Sequence, residues 1–63
     1  MTHPLPSAIG RPATAALTAA GWTTLEQVAG RTRAELLALH GVGPKAVRLL
    51  DEALRAHGLS FAD

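Results

Sequence analysis

Glycine placement constrains this chain more than any other feature. Glycines at positions 10, 21, 30, 41, 43 and 58 divide 63 residues into short stretches. Those stretches are rich in Ala and Leu, which rank among the best helix formers, and they lack β-branched or aromatic runs. Short helices separated by glycine stops are the expected result, which is an all-α fold of four to five helices. A domain of this size buries only about 60% of the surface its unfolded chain exposes. No cysteine is present to form a disulfide or a thiolate metal site. Stability must come from helix packing.

Punctuation sets the boundaries. Pro4 and Pro6 push their predecessors toward extended backbone, so residues 1–7 are expected to form a flexible arm, with Leu5 tucked against the core. Residues 8–63 form the domain. A first helix is expected from about Pro12 to Ala20, with Gly21 as a left-handed stop and Trp22 folding back as its apolar contact. A second, about Leu25 to Ala29, takes Thr23 or Thr24 as its cap and ends at Gly30. Thr32-Arg33-Ala34-Glu35 is a capping box that opens a third helix with an apolar face of Leu36, Leu37 and Leu39. Gly41-Val42-Gly43 is a tight turn that positive φ angles would satisfy, Gly43 included. Pro44 opens the longest helix, ending near His57, with Val47, Leu50 and Leu54 as its buried stripe. Arg48–Glu52 and Asp51–Arg55 are spaced for ion pairs on its outer face. Gly58 ends it, and Leu59 and Phe61 are expected to fold back onto the core.

The chain repeats itself. A shift of 33 residues lays Ile9 on Val42, Gly10 on Gly43, Ala13 on Ala46 and Leu17 on Leu50. The helix ends also match: Leu17 to Trp22 resembles Leu54 to Leu59. Neither unit can bury its apolar face alone, so the two should pack together about a pseudo-twofold axis.

The segment Leu39-His40-Gly41-Val42-Gly43-Pro44-Lys45-Ala46-Val47-Arg48-Leu49-Leu50 resembles the helix-hairpin-helix motif of DNA-binding proteins. Its chemistry is anion recognition. A turn with little side-chain bulk lets backbone approach a phosphate, and the helix start beyond it presents N–H groups at the positive end of the helix dipole. Lys45 is poorly placed for that dipole but well placed to hold a phosphate. Gly10 and Arg11 repeat the arrangement. The candidate DNA-binding residues are Gly10, Arg11, Gly41, Val42, Gly43, Lys45 and Arg48. The simpler alternative for the glycines is a helix–helix turn with no ligand.

From about Leu5 to Phe61 the chain also resembles the C-terminal domain of the bacterial RNA polymerase α subunit. The similarity is strongest over Arg31 to Lys45 and Leu54 to Ser60. It implies a tandem helix-hairpin-helix (SAM-like) fold, contact with the DNA minor groove and backbone, and contact with transcription proteins. The family's helix-1 arginine falls at or near Arg11 and its helix-4 lysine at Lys45. Two positions depart from the pattern. Gly41 stands where the family has Asn, and Ala46 where it has Ser, which removes two polar DNA contacts. The α subunit's assembly domain has no counterpart here, so the resemblance is to a stand-alone relative or a fragment.

The main expectation is therefore a non-enzymatic module that holds duplex DNA by its phosphates with low sequence specificity. A protein-interaction adaptor of the same fold, docking on transcription machinery, is the alternative, and an accessory domain of an enzyme is a third. The formal charge of +1 favours none of them; what matters is where the charges lie. A basic strip joining Arg11, Lys45 and Arg48 would support DNA, and an apolar patch around Trp22 or Phe61 would support a protein partner. Arg31 and Arg33 would either extend the strip or point away. His40 and His57 lack companions at ligand spacing, so no metal or cofactor is expected. No stretch approaches the roughly 20 apolar residues of a membrane span, and Met1 to Ser7 lacks the character of a signal peptide. The expected location is the bacterial cytoplasm.

Overall fold

The computed structural model describes residues 2–63. Four helices follow a 3-10 turn at Ser7–Ile9: α1 (Arg11–Ala19), α2 (Leu25–Ala29), α3 (Arg33–Leu37) and α4 (Pro44–Ala56). No strand occurs among the described residues; the one extended pairing is an isolated bridge between Pro4 and Thr24. The fold is all-α, and α1, α2 and α4 start and stop within a residue or two of their punctuation; α3 ends at Leu37, so Leu39, expected on its apolar face, lies in the turn beyond it.

Caps account for the short helices. The Thr24 hydroxyl accepts the Gln27 N–H while the Gln27 side chain accepts the Thr24 N–H, so α2 begins with a capping box of its own. Thr32 and Glu35 form the expected box on α3. Each box satisfies two backbone donors that a helix start would otherwise leave free. Without them, five-residue helices would have little local reason to form.

The repeat is visible in three dimensions. Ile9 and Val42, Ala13 and Ala46, and Leu17 and Leu50 are all buried. Both helix ends use one hydrogen-bond pattern. The Trp22 N–H reaches the Leu17 carbonyl at 2.9 Å and the Gly21 N–H the Thr18 carbonyl at 3.0 Å. Leu59 to Leu54 at 2.8 Å and Gly58 to Arg55 at 3.1 Å repeat it. Gly21 and Gly58 have φ of 88° and 72°, the left-handed conformation this cap requires. The starts match at an offset of 33 residues and the ends at 37, because α4 has 13 residues and α1 has 9: α4 is about one turn longer.

The core is a single cluster centred on Leu17, Leu25, Val28, Leu36, Leu50 and Leu54. Val47 joins it and Leu49 flanks it, as the α4 pattern implies. Phe61 folds back and is 4% exposed, held by the Ala62 N–H on the Arg31 carbonyl at 2.9 Å. Leu37 departs from expectation. It is 47% exposed, because a one-turn helix that points Leu36 inward carries its neighbour about 100° away from the core. The N-terminal arm is extended, but it is tied down where the prolines suggested a loose segment. The Leu25 N–H donates to the His3 carbonyl at 2.9 Å, and Leu5 packs against the core.

Candidate nucleic-acid interface

The two glycine turns, before α1 and before α4, lie against one another. A shallow groove of about 260 Å³ separates them, with Ile9, Pro12 and Ala13 on one side and Gly41, Gly43 and Lys45 on the other. Gly41 is what allows the approach. Its φ is +97°, and a Cβ there would lie 3.0 Å from the Pro12 carbonyl oxygen. An Asn or Ser at this position would need both a left-handed backbone and a displaced α1.

Gly43 corrects the reading of the turn. Its backbone is extended, with φ −108° and ψ 177°, and nothing lies within 4 Å of where its Cβ would be. It serves as the cap residue of α4, and caps take extended backbone. The positive φ belongs to Gly41. The matched Gly10 caps α1 with φ 89°, so the hairpins share their glycine but not its conformation.

Both helix starts leave N–H groups free among the described residues. Thr14 and Val47 donate back to the carbonyls of Gly10 and Gly43, both at 3.1 Å, while the N–H groups of Arg11, Ala13, Lys45 and Ala46 find no acceptor. The Val42 side chain is in the core, 6% exposed, so it shapes the turn and its side chain cannot reach a ligand. Lys45 is exposed and lines the groove between the hairpins. Arg11 is exposed on a neighbouring groove, on the other side of the 3-10 turn. Arg48 is exposed on α4, one turn beyond Lys45, and lines neither groove.

The charges sort into two classes. Arg33 contacts Asp51 and Asp63, both at 3.4 Å, Arg55 contacts Asp51 at 3.1 Å, and Arg31 contacts Glu35 at 3.7 Å. Arg31 also covers the Trp22 ring at 4.9 Å and Arg33 the Phe61 ring at 5.1 Å. These arginines therefore do not extend a basic strip, and they cover the two aromatic side chains whose exposure would have marked a protein interface. Arg11, Lys45 and Arg48 make no ion pair among the described residues. The expected Arg48–Glu52 pair is not formed; exposed pairs gain too little to hold two long side chains together. Glu52 remains the one unpaired acidic side chain there, and it shares the outer face of α4 with Lys45 and Arg48.

Sequence reasoning missed one cluster. The Glu26 carboxylate accepts the His3 backbone N–H at 2.8 Å and pairs with His3 Nδ1 at 2.6 Å. The His3 ring lies on the His57 ring with centroids 3.9 Å apart. These bonds, the backbone N–H foremost, hold the Glu26 carboxyl at about 2, below its ordinary value. The Thr32 N–H in the α3 capping box lowers Glu35 in the same direction. No local pattern announces a contact that spans 23 residues. No group of three or more His, Cys, Asp or Glu side chains among the described residues is placed to hold a metal ion, and no helix there is long and apolar enough to cross a membrane.

Comparison of the chain with protein-family models, curated proteins and solved structures gives no match.

Proposed function

We propose that this chain is a tandem helix-hairpin-helix module, similar to the C-terminal domain of the bacterial RNA polymerase α subunit, that binds duplex DNA through its backbone phosphates. The reading is non-enzymatic, and it places the module among transcription proteins of the bacterial cytoplasm. Gly10 and Arg11 serve one hairpin; Gly41, Val42, Gly43 and Lys45 serve the other, and Arg48 extends the second along α4. The sorting of charges carries the proposal. The arginines remote from the hairpins are neutralised by carboxylates, while Arg11, Lys45 and Arg48 are left unpaired. Phosphate contacts position a protein without reading sequence. Backbone binding with little sequence preference follows, because the groove offers glycine where an amide side chain would read a base.

Salt dependence of binding to a short labelled duplex, followed by fluorescence anisotropy, tests this directly. Two or three phosphate contacts predict a log–log slope near −0.9 per contact and a Kd of roughly 10⁻⁴ to 10⁻⁶ M at physiological salt. Lys45→Ala should weaken binding to all duplexes alike and flatten the slope by about one unit. Its fold should be intact, because Lys45 is exposed at a helix start where positive charge is unfavourable. An unchanged slope with wild-type affinity would exclude this hairpin as the phosphate site. Absence of duplex binding at low salt would remove the reading altogether.

A further inference from the structure

A second groove, of about 420 Å³, lies between the N-terminal arm and α1, lined by Leu5, Ser7, Gly10, Arg11, Thr14 and Ala15. Its volume falls within the range of about 300–1,000 Å³ common for ligand pockets, although it is open on one side. The arm wall is fixed in place: His3 is bound to Glu26, Pro4 bridges to Thr24, and Leu5 packs on the core. The Thr14 hydroxyl is satisfied by the Gly10 carbonyl at 2.8 Å, which leaves the lining mostly carbon. Arg11 is the one charged residue in the lining, and it has no ion-pair partner among the described residues. Beyond the groove the exposed residues Thr18 and Ala19 of α1 carry no charge, unlike Arg48, Glu52 and Arg55 on the outer face of α4.

We propose that this groove docks an acidic amphipathic segment of a partner protein, with an apolar side chain seated between Leu5 and Ala15 and a carboxylate on Arg11. Complementarity argues for this occupant. The lining is apolar, its single charge is an unpaired cation, and no carboxylate of this chain lines the groove to compete for it. A phosphate can reach Arg11 at the rim, but the rest of the groove suits nucleic acid less well. No aromatic ring lines it to stack a base, and DNA-binding surfaces are far more cationic than one arginine. An amphipathic helix delivers anchors at positions three or four apart, which suits a short groove that ends in a charge. This inference goes beyond the DNA reading; the two share Arg11 as an anion site, and Ala15, which the DNA reading does not use, tells them apart.

Random dodecapeptides displayed on phage and selected on the wild-type domain provide the probe, with the enriched sequences synthesised and titrated by anisotropy. Enrichment should couple Leu, Ile, Met or Phe with Asp or Glu within four positions. Ala15→Arg, Ala15→Glu and Arg11→Glu should each cost about tenfold or more in peptide affinity, as loss of a central anchor does. Lys45→Ala should leave peptide affinity unchanged. These substitutions are at exposed positions, and matching thermal melts confirm that the fold is retained. Duplex titration of Ala15→Arg separates the two readings, because duplex affinity should survive there while peptide binding is lost. Enrichment without the acid-plus-apolar pairing, or wild-type peptide affinity in Ala15→Arg, would overturn the proposal.

Discussion

Gly41→Ala should be among the most damaging single-methyl additions in this domain, and its cost can be worked from the structure. The residue sits at φ +97°. A left-handed backbone costs a non-glycine residue about 1–2 kcal/mol. The added methyl would also lie 3.0 Å from the Pro12 carbonyl oxygen, which is backbone in the first turn of α1 and cannot swing aside. Relieving that contact means moving one hairpin against the other, and overpacking of this kind typically costs about 1–3 kcal/mol. Together they give roughly 2–5 kcal/mol. A 63-residue domain has about 3–9 kcal/mol in total at usual values per residue, so the variant should be close to unfolded at 37 °C. Gly43→Ala is the control. Its extended backbone suits alanine and its Cβ would meet nothing, so the gain from a stiffer unfolded chain and the loss of a good cap residue should leave it within about 0.5 kcal/mol of wild type. Urea unfolding followed by circular dichroism measures both. If Gly41→Ala unfolds within about 0.5 kcal/mol of wild type, or Gly43→Ala is the more damaging, the described hairpin geometry is wrong.

Other outcomes follow from the same contacts. Thr32→Ala should cost about 1 kcal/mol through loss of the α3 capping box, read from the urea midpoint. Leu54→Ala, at a fully buried position, should cost about 2–5 kcal/mol and abolish a cooperative melt at 37 °C. Glu26 has a depressed pKa, so its contribution is complete above its ordinary value of 4.5, shrinks as pH falls below that and is gone below about 2; the Glu26 carboxyl carbon shift, followed by NMR against pH, should show that late titration. Glu26→Gln should speed amide exchange at Leu25 at neutral pH, because the arm loses its charged anchor while the core is untouched.

The parts of the fold that were legible in the sequence are those set by local chemistry. The Thr32–Glu35 box, the stops at Gly21 and Gly58 and the α4 stripe are each written within a few residues, because caps and helical periodicity act over that range. The hairpin was legible as a place but not as a geometry. Gly41 and Gly43 look interchangeable in sequence, and only the approach of Pro12, from a distant helix, decides which of them takes the left-handed backbone. Leu37 was misread because apolar character does not say which residue of a single turn faces inward. The fates of the charges were hidden for a similar reason. Arg33 finds Asp51 and Asp63 across 18 and 30 residues, and Glu26 finds His3 across 23. The candidate site thus appeared as individual cations, and their isolation from carboxylates emerged only once the chain was folded.

Both ends of the described chain grip one short stretch in its middle. The arm fastens to Leu25 and Glu26, and the tail fastens to Arg31 and Arg33. These clasps lie far apart along the chain and close together in space, so they must form late and slowly compared with the helices themselves. During synthesis, α1 and α2 are too short to be stable alone, and the stretch from Thr24 to Arg33 lacks its second clasp until residues as far as Asp63 have been made. Until then the site for Phe61 is an open hole in the core. A ribosome stalled before that point would hold a chain without a closed interior, and its exposed apolar surface would make it a substrate for chaperones and proteases.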